Sequence, residues 1–343
     1  MANPVSEGTL GSRPFVNKYV DVLHEDLNIK INSNFEYAQF FVRYHINSST
    51  SGVKIPFLFY ASEFLDSFVV KIDGVRIPVK DIPYDLPKPD GTKFNDFAYI
   101  FGDTDYTGNK LTTIETSDAD GFNIELRNMI YFETDITEGK HTIEVSYRAT
   151  QWEDRWDWVK EYSFRYALSP AKYWKSFGTL DITLDSRDFK SNLKSNIGPP
   201  KKGSINSIAS WHFEKLPTEI LQISYLPSIS PTASFLLKTG PDILAMFWGL
   251  ILLIIHLWIT LIFRKRYPLI KYSPVVILGS ILIPLLFVIC WINNYNLIDF
   301  FIGEHASRRH GYTFFIAFLY PIILPFYWIS FWLIDKRIKR KYN

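Results

Sequence analysis

Apolar residues are distributed in two ways along this chain. Up to about residue 240 they alternate with polar residues, and beyond it they run together. Leu27, Ile29 and Ile31 alternate with Asp26, Asn28, Lys30 and Asn32, and Ala38, Phe40, Val42, Tyr44 and Ile46 alternate with Gln39, Arg43, His45 and Asn47. A period of two means one buried and one wet face, the mark of half-buried strands. Ser33-Asn34 between the two runs predicts a hairpin. A clearer hairpin follows, with Phe68, Val70 and Ile72 entering Asp73-Gly74 and Val75, Ile77 and Val79 leaving it. Asp-Gly suits a type I′ turn because both central residues need positive φ.

The same alternation returns at Ile130 and Phe132, Ile143 to Ala149, Tyr162 to Leu168, Leu180 to Leu184, Trp211 to Phe213 and Leu221 to Tyr225. No amphipathic helix interrupts it. The pattern predicts a mainly β ectodomain over residues 19–226, an antiparallel β-sandwich built as one domain or as two subdomains. Residues 1–18 read as an irregular N-terminal arm. Pro83 to Lys110 reads as loops with one short aromatic strand, and 227–240, with Pro227, Pro231 and several serines, reads as a linker.

From residue 241 the pattern is continuous rather than alternating. The runs 243–263, 273–292 and 312–334 are each long enough to cross a hydrocarbon core of ~30 Å as a helix, so a C-terminal three-helix α transmembrane region is expected. Pro284, Pro321 and Pro325 are expected to interrupt the second and third helices. Several tryptophans, Trp248, Trp258, Trp291, Trp328 and Trp332 among them, suit membrane interfaces. His256 is the one ionisable side chain inside a span, and reads either as an interhelical hydrogen bond or as a proton or metal site.

Charge then orients the helices. The overall net charge of +2 conceals an acidic first part, with 26 Lys and Arg against 31 Asp and Glu in residues 1–240, and a basic remainder with 11 against 4. Arg264, Lys265, Arg266 and Lys271 follow the first run, and Lys336, Arg337, Lys339, Arg340 and Lys341 form a basic tail over 335–343. Lys and Arg collect on the cytoplasmic side. The N-terminal domain is therefore expected outside the cytoplasm and the C-terminus inside. An acidic first part without a Lys/Arg stripe argues against a nucleic-acid partner. Cys290, the single cysteine, lies in the second run, so no intramolecular disulfide can form; with no ectodomain cysteine, a bacterial inner membrane is the expected setting. Met1 to Pro4 has no apolar signal-peptide core, and numbering from a mature N-terminus is the reading adopted.

Candidate chemistry is sparse, and no cofactor motif is present. The expected outer connection, Ile302 to Tyr312, concentrates Glu304, His305 and His310, the best hydrolase candidates, beside Arg308 and Arg309, which could grip a lipid phosphate or an acidic partner. Trp152, Trp156 and Trp158 with Asp154 and Asp157 could stack on and hydrogen-bond a glycan, though an aromatic core is the favoured reading. Asp103, Asp105, Asp118 and Asp120 lie on turn-like sequences and offer hard oxygen ligands for calcium, without matching a complete calcium loop; structural turns are favoured there. Absence of phosphate-binding and dinucleotide-binding motifs leaves no nucleotide chemistry to invoke, and G-x-S-x-G is also absent, though a Ser/His/Asp triad can assemble from distant positions. The sequence is best read as a non-enzymatic, membrane-anchored binding or assembly module of a bacterial envelope, with membrane lipids, a protein partner or a second copy, and a glycan as the partners considered. A membrane-associated hydrolase and an accessory subunit of a transporter are the alternatives.

Overall fold

The structure is a computed structural model describing residues 2–4, 17–49, 51–61, 63–80, 99–104, 110–115, 123–125, 129–168, 171, 174–218 and 220–342. The chain divides into two compact units, Met1–Glu153 with Glu161–Leu226, and Asp154–Lys160 with Pro227–Asn343.

The first unit is mostly β. Its strands are β1 (Ala2–Pro4), β2 (Asn17–Ile31), β3 (Tyr37–Ser48), β4 (Gly52–Tyr60), β5 (Phe64–Ile72), β6 (Val75–Ile77) and β7 (Val79–Lys80). There follow β8 (Tyr99–Thr104), β9 (Lys110–Glu115), β10 (Asn123–Glu125), β11 (Met129–Ile136) and β12 (Gly139–Thr150). The set closes with β13 (Trp152–Asp154), β14 (Glu161–Ala167), β15 (Trp174–Asp185), β16 (Leu193–Ser195), β17 (Lys202–Gly203), β18 (Ile208–Phe213) and β19 (Ile220–Tyr225). The main sheet has eight strands in the order β17-β18-β15-β2-β3-β12-β5-β6, beside sheets β1-β4-β11-β7, β13-β14-β19-β16 and β10-β9-β8.

Both predicted hairpins form. β2 pairs antiparallel with β3, and β5 with β6; Asp73 and Gly74 between the latter have φ of 49° and 82°, the positive values that a type I′ turn requires. One pairing departs from the antiparallel expectation. β2 and β15 run parallel, so the main sheet is mixed. Parallel neighbours need a crossover connection, and here β3 to β14 all lie between the partners in sequence. The N-terminal arm also differs from its irregular reading, because Ala2–Pro4 pairs with Phe57–Phe59 of β4.

One face of the main sheet is dry. Leu27, Ile29, Val42, Ile46, Val145, Leu180 and Ile182 are buried there in a single cluster with Phe57, Phe59 and Phe132 of the β4–β11 pair and Phe164, Tyr166, Leu221 and Ile223 of the β14–β19 pair. Aromatic rings fill the space between sheets: Phe59 meets Tyr147 edge-on at 5.6 Å, Phe40 stacks on Tyr166 at 6.1 Å, and Phe35 lies 4.5 Å from Phe164. Each such buried side chain stabilises the unit by roughly 1.5–3 kcal/mol relative to exposure.

The second unit carries three helical segments long and apolar enough to cross a membrane. α1 (Pro231–Arg266) begins at Ser230, whose Oγ accepts from Ala233 N, with Pro231 in the first turn. This capped start makes helix of most of the stretch read as a linker, since Pro at the first helical position loses no hydrogen bond. The bend falls instead at Gly240, with φ of 75°, followed by Pro241. α2 (Pro274–Ile302) is capped by Ser273 and runs through Pro284 without a break. A 3-10 turn over Thr313–Leu319 leads into α3 (Tyr320–Tyr342). Pro321 thus falls in a first turn, where a missing N–H is harmless, and α3 continues through Pro325. The 335–343 stretch read as a tail is helical to Tyr342, its Lys339, Arg340 and Lys341 favourably placed at the negative end of the helix dipole.

Candidate functional site

Among the described residues, a group of metal-ligating side chains lies on the wetter face of the main sheet, and a slip in β2 places it. Val20 and Val22 are buried, and then Glu25, Leu27, Ile29 and Ile31 are. The alternation changes phase between Val22 and His24, where the β2–β3 register shifts. Without that irregularity His24 would continue the buried set and Glu25 would face solvent. Opposite it on β15 is Gly178, where a Cβ would stand 2.0 Å from the Leu23 carbonyl oxygen. A glycine permits that backbone approach, and bulges of this kind commonly re-aim a side chain.

Register does the rest. His24 faces His45 on β3 and Thr179 on β15, while Asp26 faces Asp181 on β15, which in turn faces His212 on β18. His24 Nε2 lies 3.1 Å from Asp26 Oδ1 and 3.6 Å from Asp181 Oδ2. The second oxygen of each carboxylate has its own imidazole: Asp26 Oδ2 is 3.6 Å from His45 Nε2, and Asp181 Oδ1 is 2.5 Å from His212 Nδ1. His24 Nδ1 is 2.7 Å from Thr179 Oγ1. The His24 and His45 rings stack at 5.9 Å. Ligand atoms of His24, Asp26 and Asp181 all fall within 4.8 Å of one another, so these three could share one cation.

Directly inward of this cluster, Glu25 is fully buried. Tyr166 Oη donates to its Oε1 at 2.8 Å and is itself 2.8 Å from Tyr44 Oη. Burial pushes the Glu25 carboxyl up to about 7 against the opposing hydrogen bond from Tyr166, and the nearby Asp26 adds to the rise. Removal from water disfavours the charged form of an acid.

The sequence reading missed His24, Asp26, Asp181 and His212 as one group. Asp26 and His45 stand on the polar side of its first two strands, but the site needs the β2–β15 register, which no local pattern carries.

The residues singled out in the sequence are placed elsewhere. In the second unit, Asp154–Lys160 is bonded to the connection between α2 and α3: Lys160 N donates to Ala306 O at 2.8 Å, Arg308 N to Trp158 O at 3.2 Å, and Val159 bridges Ser307. Trp158 covers His310 at 3.9 Å and Tyr295 at 5.6 Å. His310 Nδ1 and its backbone N both face Asp299, and its Nε2 accepts from Arg308 Nε at 3.0 Å. Arg308 also donates to the Trp156 carbonyl. Both ring nitrogens of His310 are thus engaged, while Glu304 pairs with Arg309 on the surface. Glu304 and His310 are not joined to each other by any hydrogen bond or ion pair among the described residues. His310 and Arg308 instead hold the Asp154–Lys160 segment.

None of these tryptophans belongs to the buried cluster of the sheet unit, and Trp158 packs instead against the apolar cluster of the helical unit. β13 is only three residues long, and past it the chain turns instead of continuing inward. Trp152 lies under the Arg165 guanidinium at 3.5 Å, Trp156 is 87% exposed, and Asp154 Oδ1 accepts from Trp156 N. Asp157 is exposed. Asp103 lies on β8, and Asp105, Asp118 and Asp120 fall outside the described residues.

Within the helical unit His256 ties all three helices. Its Nε2 is 3.2 Å from Val275 O, its Nδ1 2.8 Å from Tyr327 Oη, and its ring stacks on Phe331 at 3.8 Å. A carbonyl only accepts, so Nε2 carries the proton and Nδ1 accepts from the tyrosine. A Cβ on Gly279 would meet this ring at 2.1 Å. At the C-terminal end of α1, Arg264 is 1% exposed and makes a bidentate pair with Asp335, Nε to Oδ1 at 2.7 Å and Nη2 to Oδ2 at 2.5 Å, while Nη1 donates to Ile270 O at 2.7 Å.

No protein-family model and no curated protein matches this sequence. Among solved structures, native yeast LTA4 hydrolase is similar at 12% identity and a TM-score of 0.35, over 62% of this chain and 30% of that one. The M1 zinc metallopeptidase from Deinococcus radiodurans is similar at 9% identity and a TM-score of 0.32, over 64% of this chain and 45% of that one. The chain thus spans less than half the length of these structures, and a likeness this low assigns neither family nor activity.

Proposed function

We propose that this is a membrane-anchored binding or assembly module, non-enzymatic, with an extracytoplasmic β-sandwich and a cytoplasmic C-terminus, set in a bacterial inner membrane. The observation that supports the reading is the pairing of Asp154–Lys160 with Ala306 and Arg308, taken together with where the basic residues fall. Three spans require the segment before α1 and the α2–α3 connection to share one side. The bonds between them obey that parity, and the basic residues Lys265, Arg266, Lys271 and those ending α3 collect on the other, the pattern of cytoplasmic ends. Three helices joined by side-chain bonds exceed what tethering needs, which supports assembly with a protein partner or a second copy.

Two readouts on the intact chain test this. With Cys290→Ser as background, Ser191→Cys is expected to react with a membrane-impermeant maleimide in intact cells, and Lys341→Cys only after the membrane is opened. The reverse labelling order overturns the orientation. In mild detergent, a native mass above the monomer is expected, and a lone monomer at every concentration argues against assembly.

A further inference from the structure

We propose that His24, Asp26 and Asp181 form a binding site for one divalent transition-metal ion of the zinc type, on the open face of the main sheet. Ligand bonds of ~2.0–2.2 Å from nitrogen and oxygen place tetrahedral neighbours roughly 3.3–3.5 Å apart. His24 Nε2 stands 3.1 Å and 3.6 Å from one oxygen of Asp26 and one of Asp181, close to two edges of such a shell, and ligand atoms of all three residues lie within 4.8 Å of one another.

The surrounding groups fit the same assignment. His24 Nδ1 meets Thr179 Oγ1 at 2.7 Å, which leaves Nε2 to offer its lone pair when the Nδ1 proton is donated to the hydroxyl. Ligating imidazoles characteristically anchor their other nitrogen in this manner. Each carboxylate turns one oxygen toward His24 and gives the other to an outer histidine, Asp26 to His45 and Asp181 to His212. His45 and His212 are therefore positioning residues.

Charge supplies an independent reason. Asp26 and Asp181 are direct cross-strand partners, and like charges so placed repel. Every ion-pair partner of either carboxylate among the described residues is a histidine, while Arg43, the cross-strand neighbour of Asp26, is turned to Glu144 at 2.9 Å. A dication balances two carboxylates and a neutral imidazole. Imidazole in the set selects a borderline metal over calcium or magnesium, which favour oxygen alone.

The test is titration of the intact, detergent-purified chain, made without a histidine tag and stripped by chelator. Zn²⁺ binding is followed by calorimetry, and Co²⁺ binding by its visible absorption. One ion per chain is expected. His24→Ala and Asp181→Asn should each weaken binding at least 100-fold and abolish the cobalt bands, Thr179→Val should weaken it about 10-fold, and His141→Ala should change nothing. Asp181→Asn keeps shape and size, and its thermal unfolding reports that the fold is intact. No stoichiometric binding, binding that survives both ligand substitutions, or preference for Ca²⁺ over Zn²⁺ overturns the proposal.

Discussion

Single residues in the sheet unit show how a polar group acquires a fixed partner, and His141 gives a direct check. Its Nδ1 is 2.7 Å from Asp73 Oδ2 and its Nε2 2.8 Å from Thr137 O; two acceptors favour the imidazolium. Burial lowers the His141 affinity for a proton, but Asp73 and Thr137 outweigh it and the net direction is up. Burial likewise raises the Asp73 carboxyl, and the bonds from His141 and Thr142 N outweigh it and bring it down. The histidine contribution is complete below its unfolded value of ~6.5 and is lost as pH rises through the raised folded value. The aspartate contribution is complete above ~3.9 and is lost as pH falls through the lowered value. Both are present together between about pH 4 and 6.5. Asp73→Asn keeps a residue that tolerates the turn's positive φ while removing the charge. The prediction is that this variant lowers the melting temperature more at pH 5.5 than at pH 8.5. An equal loss at both values would refute the coupling.

Whole elements are fixed by a few polar contacts set among apolar ones, and the join of α1 to α3 is the sharpest instance. Arg264 and Asp335 are both buried, and the guanidinium also reaches Ile270 O. Taking two charges out of water is costly, so such a pair adds little over apolar residues of similar size, whereas removing one partner strands the other. Arg264→Met is expected to destabilise the helical unit by about 3–5 kcal/mol. Arg264→Met with Asp335→Leu should recover most of that loss. Thermal unfolding of the three proteins in one detergent decides it, and a double variant as unstable as the single one would mean that the pair, and not the unpaired charge, sets the stability. The basic cluster after the first helix thus contains one residue of a different kind. Arg264 is spent inside the bundle, while its neighbours Lys265 and Arg266 are exposed.

Across the molecule, what the sequence disclosed depended on the range of the contacts concerned. The Asp73-Gly74 hairpin and the three long apolar helices were legible because turn chemistry and hydropathy are written within a few residues or along one continuous run. The β2–β15 pairing was not, since it joins Asp26 to Asp181 across most of the sheet unit, and the group of histidines around them depends on it. The helical start at Ser230 was written locally but hidden by prolines that look like a linker. The misreading of Trp158 has a different origin. Its alternation with Trp152 and Trp156 suggested a core strand, yet Trp158 packs on His310 and Tyr295 within the helical unit. This placement has a consequence for the chain as a whole. Asp154–Lys160 lies between β13 and β14 but takes its bonds from Ala306, Arg308 and the ring of His310. Its order should therefore depend on helices that begin some seventy residues later. In a fragment ending at Leu226 the carbonyls of Trp156 and Trp158 lose the Arg308 donors and Trp158 loses both ring partners, and a segment so freed is opened readily to protease. Trypsin is expected to cut after Arg155 at least tenfold faster in that fragment than in the intact chain, and Trp158→Ala in the intact chain should raise the rate toward the fragment's value. Equal rates in fragment and intact chain would show that the segment is held by its own sheet neighbours and not by the α2–α3 connection.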